Sequence, residues 1–275
     1  MSTSIMKDFF KQLIPPIAIT LSEYSFKYGW KGNYSSFAEA QQKSNGYDAA
    51  PILERIINTT QLFKKGEIAY ERDGIIYDKP HYHFPVLSSL LWIAGQNNQQ
   101  LTVLDFGGSL GTTYLQMRPY LQHIQQLQWC IVEQAHFVEK GKQYFEDDVL
   151  KFYPTVAACL QEQQPHVLLI CSVLQYLPEP YEFLTNVAKH KIPYLLLDYI
   201  GYHNGENYDR ITLQHVPPDF YGVEVSYPCW FFNKTKLYQH LQQYYDLQYD
   251  FLDDYDTYYL ELERFKYEGM LWKAK

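Results

Sequence analysis

Val103-Leu104-Asp105-Phe106-Gly107-Gly108-Ser109-Leu110-Gly111-Thr112-Thr113-Tyr114 is the stretch from which the rest of the chain can be read. An apolar run ends on an acid, passes through a glycine turn and enters a helix start. Glycines let the backbone turn sharply and let a ligand approach the main chain closely. The helix that follows offers unpaired N–H groups at its first turn. Such a loop can hold a dinucleotide, a phosphate or an adenosyl group. The Gly-x-Gly-x-x-Gly spacing of dinucleotide folds is absent, because the pattern here is Asp-x-Gly-Gly-x-x-Gly. No Gly-Lys-Ser/Thr follows, which excludes a P-loop.

The acid ahead of the glycines carries the most information. A carboxylate there would repel a pyrophosphate but could pair with a cationic amino-acid moiety. S-adenosyl-L-methionine, with its ammonium and sulfonium, has the matching sign. A second acid, Glu133, followed by Gln134, ends the apolar run that begins at Trp129. In doubly wound folds an acid at the end of the second strand accepts hydrogen bonds from ribose hydroxyls. Working outward, further short apolar runs stand at Leu101–Phe106, Val149–Tyr153, Val167–Cys171 and Pro193–Ile200, with helical stretches between them. This alternation predicts an α/β fold with a parallel, doubly wound sheet. Near the end, Asp246–Leu252 and Tyr267–Lys273 read as two strands joined directly, and so as an antiparallel pair.

Residues 1–98 read as an N-terminal region of helices and loops, and residues 99–275 as the ligand-binding domain. Ser36 and Glu39 form a capping box. Asp48 and Pro51 open a second helix, which Lys64-Lys65-Gly66 closes. Pro85 starts a third, carrying Val86, Leu87, Leu90, Leu91 and Ala94 at helical period, with Gly95 as its stop. Asp73-Gly74 marks a small hairpin between Tyr70 and Tyr77.

With 275 residues, 47% hydrophobic and 20% charged, the chain is long enough and apolar enough for a full core, so a largely disordered chain is excluded. Formal net charge is −8, the wrong sign for broad nucleic-acid binding, so no nucleic-acid partner is expected. Tyrosine is abundant at 27 residues, which suits half-buried walls and stacking surfaces. Cys130, Cys159, Cys171 and Cys229 form no CxxC pair and match no structural zinc spacing. They point to a reducing compartment. With no apolar run long enough to span a membrane and no signal-like core, the expected location is cytoplasmic. Peripheral membrane contact remains open through the amphipathic Phe9-Phe10-x-x-Leu13-Ile14 stretch.

In its glycine loop, in Glu133 and in its strand pattern, the sequence resembles the class I S-adenosylmethionine-dependent methyltransferases. That resemblance implies a Rossmann-like, seven-stranded sheet of five parallel strands plus an antiparallel pair. It makes Asp105, Gly107, Gly108, Ser109, Gly111, Glu133 and Gln134 cofactor ligands, with Ser109 where the family has its middle glycine. His166–Pro180 looks like the fourth strand and its loop, which implies Ser172, Val173 and Gln175 near the methionine end. A narrower resemblance rests on Gly32-Asn33-Tyr34, Gly46-Tyr47-Asp48, Leu213–Pro218 and Ser226–Phe232. It is to a bacterial methyltransferase group whose genes often stand with those for surface polysaccharides such as O-antigen. It implies glycan methylation.

A sugar hydroxyl is a poor nucleophile, so a general base would help. Asp198, His203 and His215 are the candidates, the first two on the loop after the fifth strand. Tyr199, Tyr202, Tyr221, Tyr227 and Trp230 are candidate acceptor contacts, and Trp30, Tyr34 and Tyr47 candidate lid residues. His81-x-His83 lacks a third metal ligand and reads as a polar hairpin tip, so no metal is expected. The expected function is O-methylation of a sugar hydroxyl with S-adenosylmethionine as cofactor. The alternative is a binding or regulatory subunit that keeps the fold without the chemistry.

Overall fold

The computed structural model describes residues 27–45, 49–203, 208–253, 257–261 and 263–275. Along the chain come β1 (Gly29–Tyr34), α1 (Phe37–Lys43), α2 (Ala49–Lys65), β2 (Tyr70–Arg72), β3 (Ile75–Tyr77) and α3 (Phe84–Gln96). Next are β4 (Gln100–Phe106), α4 (Thr112–Met117), β5 (Gln126–Val132), α5 (Ala135–Tyr144), β6 (Leu150–Tyr153), α6 (Val156–Glu162), β7 (Val167–Cys171), α7 (Pro180–Ala188) and β8 (Tyr194–Ile200). The last third holds β9 (Arg210–Val216), α8 (Pro218–Tyr221), β10 (Val225–Phe231), α9 (Lys234–Leu241), β11 (Tyr245–Leu252), β12 (Tyr258–Leu260), β13 (Glu263–Phe265) and β14 (Glu268–Ala274).

All five apolar runs are strands, and they pair in parallel in the order β6-β5-β4-β7-β8. β14 adds antiparallel to β8, and β11 antiparallel to β14, which completes seven strands. The runs are nearly continuous in apolar residues because helices cover both faces. Leu101 and Val103 pack with residues of α2, α3 and α5, whereas Leu104 packs with residues of α6, α7 and α9. Leu195, Leu196 and Leu197 are fully buried. Burying each contributes about 2 kcal/mol.

A second sheet, in the order β10-β9-β1-β12-β13, was not foreseen. Residues 29–34, expected among helices and loops, are a strand lying antiparallel to β9 and bridged to β12 through Trp30 and Leu260. β11 and β14 are not directly joined, because the β12–β13 hairpin stands between them and extends this second sheet. Its strands mix aromatic and polar residues, and β1 finds its partners β9 and β12 far along the chain, so no local apolar run announces it. Much of the aromatic content goes here. Trp30 meets Phe231, Tyr258, Phe265 and Tyr267 edge-on at centroid distances of 6.0, 5.9, 5.4 and 6.3 Å. Edge-to-face packing of this kind adds to the burial itself.

The small hairpin turns at Asp73-Gly74 as expected, with Gly74 at φ +80. Buried Glu71 fastens it, accepting from Thr60 Oγ1 at 3.0 Å and from Thr112 Oγ1 at the start of α4. Arg55 Nε donates to the Gly74 carbonyl at 2.8 Å. These bonds hold the hairpin, and so Arg72, over the loops at the C-terminal ends of the strands. Ser36 caps α1 by accepting from the Glu39 N–H, and Gly66, at φ +76, follows the end of α2. Gly95 does not stop α3, which runs to Gln96 and is capped by Asn97. Among the described residues no helix is long and apolar enough to cross a membrane. The Phe9–Ile14 stretch and Tyr47 lie outside the described residues.

Candidate active site

A cavity of about 530 Å³ opens where β4, β5, β7 and β8 end, the edge at which ligands bind in open α/β sheets. Asp105, Gly107, Gly108, Ser109, Glu133, Gln134, Ser172 and Val173 line one side of it. The glycines are needed where they stand. Gly107 has φ +74, and a Cβ there would overlap Val173. A Cβ on Gly108 would overlap the Asp105 carboxylate. Gly111, at φ +95, packs against Leu150 and Ile131 behind the loop and does not line the cavity. Gln175 is also outside it. This buried side chain donates to the Tyr199 carbonyl at 3.2 Å and to Ser172 Oγ at 3.4 Å, bracing the wall from beneath.

Asp105 is buried, and its Oδ2 accepts from Trp129 Nε1 at 2.9 Å. Burial pushes its carboxyl up to about 7, against the Trp129 bond, which favours the anion. Burial also raises Glu133, although its Oε2 accepts from the Gln134 N–H at 2.7 Å. A carboxylate held this way is relieved by a cation. The residues therefore fit a ligand with an ammonium and sugar hydroxyls. Ser109 Oγ, buried without a protein partner, adds an unused polar group to the same loop. Ser109, Ser172 and Tyr199 all have positive φ, at 52, 60 and 55. Such backbone costs about 1–3 kcal/mol per residue and tends to collect at functional sites.

The opposite side is built around His83. Its Nδ1 lies 3.2 Å from Asp198 Oδ2, and its Nε2 lies 3.1 Å from the Tyr199 hydroxyl and 3.2 Å from Arg72 Nη1. An arginine can only donate. Nε2 therefore carries the lone pair, and the ring proton sits on Nδ1 facing Asp198. Adjacent strand residues normally point to opposite faces. Here Asp198 and Tyr199 reach the same ring, because the β14–β8 register shifts between Glu268↔Ile200 and Met270↔Leu197. That irregularity, with Tyr199 at φ +55, re-aims one side chain in the manner of a β-bulge. Cys171 Sγ lies 3.5 Å from Asp198 Oδ2 and 3.6 Å from Arg72 Nη2.

Of the three expected base candidates, only Asp198 lines the cavity. His203 is buried past the end of β8, its Nε2 2.6 Å from the Tyr208 carbonyl. His215 is on β9 next to Gln214, which accepts from the Tyr176 hydroxyl at 2.8 Å. Strand alternation turns His215 to the other face of the second sheet. Tyr221 and Tyr227 line the cavity, and Tyr199 lies against His83. Tyr202 and Trp230 do not line it. The Tyr202 hydroxyl points at Met270 Sδ, and Trp230 Nε1 donates to the Leu177 carbonyl at 3.0 Å. Of the candidate lid residues, Trp30 belongs to the aromatic core of the second sheet and Tyr34 packs beside Ile211 and Leu213.

Arg72, His83, Gln116 and Cys171 were missed. His83 is not a hairpin tip; it immediately precedes α3, three residues after Pro80 and two before Pro85. The other three come from elements whose spatial convergence leaves no local pattern. Among the described residues no cluster of three or more His, Cys, Asp or Glu has the arrangement of a metal site.

No protein-family model matches the sequence, and no curated protein matches it. Solved structures match it at low identity. One is magnesium protoporphyrin IX methyltransferase from Synechocystis PCC 6803 with bound SAM, at 11% identity, covering 84% of this chain and 99% of that one, TM-score 0.45. An S-adenosylmethionine-dependent methyltransferase from Clostridium acetobutylicum ATCC 824 has 10% identity over 70% and 92% of the two chains, TM-score 0.47. The N-terminal domain of EvdMO1, crystallised in the presence of SAH and D-fucose, has 14% identity over 82% and 100%, TM-score 0.46.

Proposed function

We propose that the chain is an S-adenosylmethionine-dependent methyltransferase that O-methylates a hydroxyl, in the setting of a surface glycan or its precursor. The reading rests on one observation. A single cavity has buried Asp105, the bare glycine loop and Glu133 on one wall, and the Asp198–His83 pair on the other. The sugar setting is supported only by the sequence resemblance and by the presence of the aromatic Tyr221 and Tyr227 in the cavity lining.

The cofactor, when bound, supplies a methyl carbon activated by the sulfonium. Asp105 would hold the ammonium, Glu133 the ribose hydroxyls, and Gly107 and Gly108 would admit the adenosyl group against the backbone. His83 Nε2 would receive the proton of the acceptor hydroxyl, which would take the place of both the Tyr199 phenol and the Arg72 Nη1 donor there. Asp198 would fix the ring and stabilise it once charged. The acceptor oxygen would take the methyl group as its proton passes to His83 Nε2, so no further co-reactant is needed. Holding the two partners in line supplies up to about 10 kcal/mol, and the base a further factor of about 10²–10⁴.

The test is transfer of labelled methyl from S-adenosylmethionine to a panel of sugars, sugar nucleotides and phenols by wild-type protein and by His83→Ala. Label in an alkali-stable methyl ether, lost in the variant, supports the reading. Cofactor binding with no transfer to any acceptor class would favour the non-catalytic binding role instead.

A further inference from the structure

Among the described residues Arg72 is the only lysine or arginine lining the cavity, which also holds Asp73, Asp105, Glu133 and Asp198. Its guanidinium stacks over the Tyr199 ring at 4.3 Å. Of its five N–H donors, one goes to His83 and one to the weakly accepting sulfur of Cys171. The carboxylate nearest to it in an ion pair is Asp73, 3.9 Å from Nε and 56% exposed. Asp198 stands one side chain away, behind His83 and Cys171. A half-buried cation is costly to leave with so little direct pairing. Its planar fork suits a carboxylate, which two parallel N–H groups can grip.

Gln116 supplies an independent observation. It is 8% exposed, it lines the same cavity, and its Nε2 has no hydrogen-bond partner. A buried amide donor left unmade costs about 1–3 kcal/mol. Both Gln116 and His83 also line a small cleft behind the cavity, so the orphan donor stands on the His83 side.

We propose that Arg72 and Gln116 form a subsite for a carboxylate on the acceptor, so that the substrate is a hydroxy acid whose hydroxyl is presented to His83. This rests on the methyltransferase reading and narrows it. An acidic sugar and an aromatic hydroxy acid share this chemistry, and the probes separate them. The subsite also explains a cation in a cavity otherwise dressed for a cationic cofactor: the anionic end of the acceptor is drawn to one wall and kept from the other.

The experiment is calorimetric titration of the full chain, saturated with S-adenosylhomocysteine, with two matched pairs. These are glucuronate against glucose, and para-hydroxybenzoate against para-hydroxybenzyl alcohol. In one pair the acid binds about tenfold tighter or more, as charge-assisted hydrogen bonds allow. Arg72→Met removes that preference, and Arg72→Lys and Gln116→Leu reduce it. In each variant S-adenosylhomocysteine affinity stays within about threefold. Should Arg72→Met fail to fold, the other two variants carry the test. Equal binding of acid and neutral partner in both pairs overturns the proposal, as does an acid preference that survives Arg72→Met. Loss of S-adenosylhomocysteine affinity with methylthioadenosine affinity intact also overturns it, by giving the guanidinium to the cofactor's own carboxylate. If wild-type protein binds no S-adenosylhomocysteine but an Arg72-dependent acid preference remains, the methyltransferase reading fails and the anion subsite stands.

Discussion

The two walls of the cavity are made differently. The wall formed by Asp105, the glycine loop and Glu133 comes from two adjacent strands and the turns that directly follow them. Its geometry is local, and its chemistry is printed in residue order. The wall formed by Arg72, His83, Gln116 and Asp198 is drawn from a hairpin, a helix cap, the body of a helix and an irregular strand. No short window of sequence contains it. Ligand chemistry shared by many proteins can be fixed by a local loop. The chemistry of the second wall is fixed by tertiary placement, which can vary without disturbing the loop.

If that division is right, the walls should fail separately. Asp105→Asn keeps an acceptor for Trp129 Nε1 but removes the charge, and should cost S-adenosylhomocysteine affinity about 100-fold or more, read by calorimetry. His83→Ala should lower kcat by about 10²–10³-fold while leaving that affinity within about threefold. A loss of both properties in either variant would erase the distinction between the walls. A third substitution addresses the second sheet rather than the walls. Phe231→Ala empties a fully enclosed site in its aromatic core, and chemical denaturation should show a loss of about 3–5 kcal/mol. Below its lowered melting point, cofactor affinity should hold.

Proton linkage sharpens the contrast. The Asp105 carboxyl is raised from its ordinary range to about 7, so its charged form is disfavoured in the ligand-free fold. Its contribution to stability is therefore fully present below its ordinary range and is lost as pH rises through about 7. A cationic ligand needs the charged form. Affinity should thus rise as pH climbs toward about 7 and fall by up to tenfold per pH unit below it. The profile should be shallower in Asp105→Asn, where only Glu133, also raised by burial, still titrates in the loop, and that variant's melting temperature at about pH 8 should match or exceed the wild type's. The smallest effect belongs to His215→Gln, on the far face of β9. Turnover should stay within about twofold, as for substitutions remote from the chemistry.

The contrast also explains what could be read in advance. The five parallel strands and the acids at their ends were legible because each strand is a bounded apolar run and each acid terminates one. The β11–β14 pairing was legible, but the β12–β13 hairpin between those strands was not, because its three-residue strands pair with each other and, through β12, with the distant β1. His203 and His215 looked as eligible as Asp198, since a sequence does not say which face of a strand a side chain takes once irregular segments intervene. The shift that brings Asp198 and Tyr199 onto one ring is set by the partner strand, where Gly269 stands opposite. A Cβ on Gly269 would lie 3.0 Å from Asp198 Oδ1 and would also overlap Phe251. That requirement is invisible until the strands are paired.

The central claim is that the Asp105 loop is built for an adenosyl ligand bearing a positive charge. Calorimetric titration with S-adenosylmethionine, S-adenosylhomocysteine and NAD, on wild-type protein and Asp105→Asn, tests it most directly. The account predicts tight binding of both adenosyl amino acids, lost in the variant, and no comparable binding of NAD. Preference for NAD, or adenosyl binding indifferent to Asp105→Asn, would contradict it.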